Sequence, residues 1–232
     1  MKSLFKCHLY YLMNKKTLII IFISLFIGAL CFFSNIYTNK FITSNEEIEQ
    51  YYETSVIMVK LILCFLAIFI FANSMQAYND FYVYFIIPNN ISRRKYIITK
   101  TLLMIFIVFL ITFLLLLLYL FIGFIANKNF YLQSRFIFSF LILFLIASIY
   151  GLYTMILMQI FQNLYFVILS FLVVIFVNNL ESDNLIAKTI LFIFPNISNY
   201  PNSLISLIHL VYLNVLLVII NVFIYNNRDL NY

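Results

Sequence analysis

The sequence predicts an all-α polytopic membrane protein in a single domain, and three observations support this fold class. Hydrophobic residues make up 65% of the 232 residues, whereas charged residues make up only 9%, compared with roughly 25% in ordinary globular domains. The apolar residues form runs of about 20, the length that a helix needs to cross about 30 Å of hydrocarbon. Polar connections rich in Lys, Arg, Asn and Pro separate the runs. We therefore expect one transmembrane domain over residues 1–232.

Six of the apolar runs are predicted to be transmembrane helices. The fourth and fifth come from one long apolar stretch, interrupted at Gln159, Gln162 and Asn163, where we expect a tight turn. Lys60 lies one turn inside the second span, from where its amine can extend to the headgroups. Residues 37–55 are polar and acidic and are expected to form a loop. The predicted spans are residues 17–36, 56–77, 102–126, 136–158, 164–180 and 203–225.

Two further segments favour helices that do not cross the membrane. Residues 1–16 alternate lysines with Phe5, Leu9 and Leu12, which suits either an interfacial helix or a basic flank that only fixes orientation. Residues 185–194 are apolar but too short for a crossing, so we expect a re-entrant or a surface helix between the fifth and sixth spans. The PNISNYPN turn that follows contains two prolines, which do not fit inside a regular helix.

The positions of the basic residues predict that both termini are cytoplasmic. Cytoplasmic loops of membrane proteins carry an excess of Lys and Arg. With both termini inside a bacterial cytoplasmic membrane, the inner segments hold most of the basic residues. The inner set is Lys2, Lys6, Lys15, Lys16, Arg93, Arg94, Lys95, Lys100 and Arg228, and the outer set is Lys40, Lys60, Lys128, Arg135 and Lys188.

The sequence contains no motif typical of a catalytic, phosphate-binding or metal-binding site. A phosphate-binding P-loop needs G-x-x-x-x-G-K-[ST], and the glycines Gly28, Gly123 and Gly151 stand in no such pattern. The histidines His8 and His209 are far apart, and no cysteine spacing resembles a metal site. No carboxylate lies within a predicted span, and no basic face suits nucleic acid. We therefore expect a non-enzymatic chain without a catalytic, cofactor or metal site, powered by a separate ATPase.

The densest basic cluster lies between the second and third predicted spans. Residues 79–100 read NDFYVYFIIPNNISRRKYIITK and contain one of the three prolines of the chain. We expect a cytoplasmic connection on which a partner protein acts, because the cations can pair with acidic groups of a partner or with lipid headgroups. The basic residues of this predicted contact are Arg93, Arg94, Lys95 and Lys100, with Pro88 in the same stretch.

This stretch resembles that of the ABC-2 type permease family. Members tend to have an acidic residue opening a short cytoplasmic helix, then Pro, a Ser-Arg pair and a Lys at the third span, matched here by Asp80, Pro88, Ser92, Arg93 and Lys100. The resemblance implies a coupling helix between spans two and three that fits a groove on the ATPase. It also implies an N-terminal interfacial helix, and short helices that re-enter between spans five and six.

The resemblance implies a permease subunit of an exporter, assembled with a second permease copy and two ATPase subunits that bind ATP and Mg. Small permeases of this kind are similar to exporters of antimicrobial or toxin-like peptides, such as the phenol-soluble modulins, so we expect an amphipathic peptide or lipid-like substrate. Two alternatives stay open. One is a ligand-binding membrane subunit of a vitamin uptake system, and the other is a non-transporting immunity or assembly protein.

Overall fold

A computed structural model of the chain describes residues 5–6, 8–10, 15–38, 45–75, 92–127, 134–161, 163, 165–180, 184–196 and 203–227. All regular structure in these ranges is helical, which confirms the predicted all-α class. Three helical segments, Arg93–Ile125, Ile137–Phe161 and Leu204–Asn227, are long and apolar enough to cross a membrane. The helices are α1 (Lys15–Thr38), α2 (Asn45–Ser74), α3 (Arg93–Asn127), α4 (Ser134–Phe161), α5 (Tyr165–Asn178), α6 (Leu185–Ile193) and α7 (Leu204–Asn227).

Two helices begin earlier than the hydropathy pattern predicts. The acidic segment 45–55 was expected in a loop, and that prediction is wrong, because α2 starts at Asn45. Glutamate is a strong helix former, and its charge is favoured near a helix N-terminus. Likewise α3 starts at Arg93 rather than at residue 102. Hydropathy marks where the apolar run begins, whereas the helix starts earlier, in the polar residues that precede the run.

The predicted turn near residue 160 is present but narrower than expected. Helix α4 continues past Gln159 to Phe161, and α5 begins at Tyr165. The side-chain oxygen of Asn163 accepts a hydrogen bond from the backbone N–H of Tyr165 at 3.1 Å and so caps α5. Helix α5 has 14 residues, a length of about 21 Å at 1.5 Å per residue.

Helices α3 and α4 run antiparallel. The Thr101 hydroxyl lies 3.7 Å from the sulfur of Met155 near the start of α3. Far along α3, the ring of Tyr119 lies 5.2 Å from that of Phe140, near the start of α4. We call the end of the bundle where α3 begins the Ser92 end; α4 finishes there.

Helices α4 and α7, in contrast, run parallel. Asn214 of α7 is bonded to Ser148 and to the Leu145 carbonyl of α4. Further along both helices, the Asn221 amide donates to the Leu152 carbonyl at 3.4 Å. Both helices therefore finish at the Ser92 end, so the chain between them must return to the opposite end. Helix α5 begins this return.

Helix α4 is the centre of the bundle, packed against α2, α3, α5 and α7. Its closest approach to α2 is at Gly151, where an added Cβ would overlap the ring of Phe71. Phe71 is fully buried. A small residue at this position lets the two helices approach closely, as is common between helices in membranes.

Helix α6 is held by two tyrosine hydroxyls of α4. Tyr150 donates to the carbonyl of Pro195, and Tyr153 donates to that of Ile193, each at 3.0 Å. The ring of Tyr153 also lies 4.6 Å from that of Phe194. The carboxyl end of α6 is therefore fixed beside the middle of α4, and the carbonyls there gain donors that a helix end otherwise lacks.

We expect Gly151→Ala to destabilise the protein by about 1–3 kcal/mol, because the new methyl group must displace the buried Phe71 ring. Thermal unfolding in detergent measures the loss. Gly28→Ala is the control, since its Cβ would meet only a side-chain methyl of Leu115, at 2.8 Å. Phe71→Leu should partly rescue Gly151→Ala; equal unfolding temperatures for the two alanine variants would contradict the prediction.

Candidate functional site

The predicted basic cluster forms the first turn of α3. Ser92 immediately precedes the helix, and its hydroxyl accepts a hydrogen bond from the backbone N–H of Lys95 at 3.4 Å. The Ser92 carbonyl accepts one from the N–H of Tyr96 at 3.1 Å. Ser92 therefore occupies the N-cap position that serine favours. Asp80 and Pro88, with the rest of the predicted coupling helix, lie outside the described residues.

The basic residues of this turn lie at a helix N-terminus, where positive charge is unfavourable. Arg94 and Lys95 are exposed, Arg93 is half-buried, and the first turn contains no acidic residue. The N-terminus of a helix carries partial positive charge, so each cation there costs about 0.3–1 kcal/mol at low ionic strength. An anionic surface placed against the turn would offset this cost. The start of α3 is therefore suited to an acidic protein surface or to phosphate headgroups.

Lys100 lies apart from these exposed cations. Its side chain is 1% exposed, so it does not share the surface of Arg94 and Lys95 as the sequence predicted. Its amine donates to the hydroxyl of Tyr96 at 3.3 Å and lies 5.2 Å from the centre of the same ring, within the range of a cation–π interaction. The reason is helical periodicity, since Tyr96 and Lys100 are four residues apart and share one face of α3.

This face of α3 belongs to a buried polar layer formed by His8, Tyr96, Lys100 and Tyr225. The ring of Tyr96 stacks on Tyr225 at 5.8 Å and lies 4.7 Å from the ring of His8. All four side chains are at most 1% exposed. The layer joins the N-terminal segment, the start of α3 and the end of α7. Sequence reasoning missed His8 and Tyr225, because no local pattern connects residues so far apart in the chain.

The N-terminal segment, described at residues 5–6 and 8–10, is helical and lies against α3. Phe5 contacts the ring of Phe106 at 6.4 Å, and Leu9 packs on the core. Lys6 and Tyr10 are exposed. The apolar side chains of this segment therefore pack on the protein, and the described lysine lies on its exposed side.

The second histidine, His209, packs between two helices. The ring of His209 lies 4.3 Å from that of Phe192 and links α7 to α6. Within the described ranges, no three His, Cys, Asp or Glu side chains are grouped so that they could hold a metal ion. The chemistry of the described residues therefore centres on the start of α3 and the buried polar layer.

Comparison with known proteins adds no assignment to this geometry. No protein-family model matches the chain, and no curated protein matches it. The likeness of residues 79–100 to the ABC-2 permeases therefore depends on the residues themselves. The features that bear on function are the start of α3, the buried polar layer and the order of the helices.

We expect Tyr96→Phe to lower the free energy of unfolding by about 1–3 kcal/mol, because the buried Lys100 amine loses a hydrogen-bond acceptor. Tyr10→Phe is the matched control; its ring is 80% exposed, so its effect should stay within about 0.5 kcal/mol. Thermal unfolding of the purified variants measures both. Equal stability of the two variants would show that the Tyr96 hydroxyl does not stabilise the layer.

Proposed function

We propose that this chain is the membrane permease subunit of an ATP-binding cassette exporter in the bacterial cytoplasmic membrane. The observation that carries the proposal is the exposed cationic start of α3 directly above the buried polar layer. The sequence contains no P-loop, so the energy would come from a separate ATPase that binds ATP and Mg. Arg94 and Lys95 would contact an acidic surface of that subunit.

The buried polar layer supplies a physical route for coupling. Helix α3 has 35 residues and carries the basic turn at one end, so a push on that turn moves a long rigid element. Tyr96 packs against Tyr225 and His8, and the movement would therefore reach α7 and the N-terminal segment. Lys100 would act inside the protein, by holding Tyr96, rather than in direct contact with the ATPase.

The order of the helices supports a topology of six crossings. Helices α1 to α5 and α7 would each cross once, with the Ser92 end and both termini on the cytoplasmic side, as the basic residues favour. Helix α5 is short for about 30 Å of hydrocarbon, and a thinned bilayer or a tilted neighbour would accommodate it. Helix α6 would re-enter from outside, because its end reaches the middle of α4. Two such chains would assemble with two ATPase subunits.

An apolar groove between α1 and α3 suits a hydrophobic or amphipathic substrate. The groove has a volume of about 740 Å³, and Leu25, Leu117, Phe121 and Phe124 are among its lining residues. None of the lining side chains is charged. The groove would open toward lipid, which favours lateral access of the substrate from the bilayer. The substrate class would be an amphipathic peptide, such as an antimicrobial peptide, or a lipid-like molecule.

We expect the double variant Arg94→Glu and Lys95→Glu to lose copurification with the partner ATPase by about tenfold or more, because like charges would then face each other. Its thermal stability should be unchanged or higher, since acidic residues complement the helix N-terminus. Lys188→Glu, at an exposed site on α6, is the charge-reversal control. Undiminished copurification and ATP hydrolysis would show that the basic turn only orients the protein.

We expect deletion of the gene to increase sensitivity to an amphipathic cationic peptide, because the substrate would accumulate in the membrane. The minimum inhibitory concentration, measured with and without a plasmid copy, gives the effect. A copy carrying the Arg94→Glu and Lys95→Glu changes should fail to restore resistance. Unchanged sensitivity across several such peptides would count against peptide export and leave lipid-like substrates.

A further inference from the structure

The hydrogen bonds between α4 and α7 are shorter at Asn214 than at Asn221, nearer the Ser92 end. At its middle, the Ser148 hydroxyl donates to the Asn214 side-chain oxygen at 2.5 Å, and the Asn214 amide donates to the Leu145 carbonyl at 3.1 Å. Two turns further, the Asn221 amide reaches the Leu152 carbonyl only at 3.4 Å. Polar side chains therefore join the two helices more closely at Asn214 than at Asn221.

Two buried amide side chains toward the same end have polar atoms without a hydrogen-bond partner. Gln159, two residues before the end of α4, is 2% exposed, and neither its amide nitrogen nor its oxygen has a partner. Asn221 of α7 is fully buried, and its side-chain oxygen has none either. Each orphaned group costs about 1–3 kcal/mol. Buried polar groups in proteins are nearly always paired, so these exceptions require an explanation.

A second arrangement of the helices would remove this cost. Helix α4 is fixed by the close contact of Gly151 with Phe71 of α2, which leaves α7 as the helix that can swing. A swing about Asn214 breaks one hydrogen bond between α4 and α7, that of Asn221, and moves Tyr225 against its stacking partner Tyr96. It would bring Gln159 and Asn221 into contact with water at the nearby end of the bundle. Tyr225, one turn beyond Asn221, would move with them.

We propose that the Ser92 ends of α4 and α7 part about Asn214 and open a polar site at Gln159 and Asn221. The site takes water and neutral hydrogen-bonding groups, namely the amides and hydroxyls of the transported molecule. Neither side chain is charged, and each primary amide offers both a donor and an acceptor. The opening follows from the packing alone, whereas the role in transport rests on the proposed function above.

Thiol labelling tests the opening without any partner protein. In a background with Cys7, Cys31 and Cys64 replaced by alanine, Gln159→Cys should react with a membrane-impermeant thiol reagent on the face where Arg94→Cys reacts. Ala147→Cys, a fully buried position on α4 near Asn214, should not react. An unreactive Gln159→Cys beside a reactive Arg94→Cys overturns the proposal. Equal labelling of Ala147→Cys overturns the hinge at Asn214.

A second variant tests whether the orphaned amide favours the open state. Gln159→Met keeps the size of the side chain and removes its polar atoms, so the closed state no longer contains that cost. The labelling rate of Asn221→Cys should then fall about tenfold, a change in the opening equilibrium of about 1.4 kcal/mol. Met158→Leu, a buried apolar neighbour, should leave the rate unchanged. A rate unaffected by Gln159→Met contradicts the proposal.

The labelling results separate this proposal from the proposed function. If Gln159→Cys is labelled but no ATPase copurifies, the site opens and the exporter assignment fails. If an ATPase copurifies but Gln159→Cys stays unreactive, the exporter stands and this site is wrong. If Gln159→Cys is labelled and an ATPase also copurifies, Gln159→Met should reduce peptide-stimulated ATP hydrolysis. Unreduced stimulation would show that the site admits water but does not bind the transported molecule.

Discussion

The bundle depends on one constraint, that a polar group among apolar helices must find its partner within the protein. Lipid offers no hydrogen bonds, so hydrophobic burial gives these helices little reason to choose one neighbour over another. A few polar side chains therefore determine which helices become neighbours. Asn73 bonds Thr17 at 3.0 Å and joins α1 to α2, and Asn214 bonds Ser148 and joins α4 to α7. These contacts set the register of helices whose surfaces are otherwise alike.

Two features of the structure are energetically unfavourable where they stand. Cations occupy the first turn of α3, where the helix dipole opposes them, and Gln159 is buried without a partner. Local conflicts of this kind are expected at functional sites, because the cost is offset in another state or by a partner. Both conflicts lie at the Ser92 end. A force applied to the first turn of α3 and an opening at Gln159 would then be parts of one movement.

The buried polar layer connects the two conflicts. Tyr96 lies on the helix that carries the exposed cations, and its stacking partner Tyr225 lies on α7, which packs against the helix that carries Gln159. A displacement of α3 therefore bears directly on the end of α7, without a long chain of intermediates. The firm contacts of α4 with α2 give the moving helix a fixed neighbour. Rigid-body movement of a packed element about a fixed one is a common form of switching.

The sequence by itself predicted the helical class, helices apolar enough to cross a membrane and the approximate helix positions, because apolar runs of about 20 residues have few other solutions. It also located the basic turn, since charge is visible residue by residue. Only the tertiary structure decided that Lys100 is buried while Arg94 and Lys95 are exposed, and that His8 and Tyr225 join it. It alone placed Gln159 without a partner. Such facts depend on which helices become neighbours, and an apolar helix surface does not encode its neighbour in any short stretch of sequence.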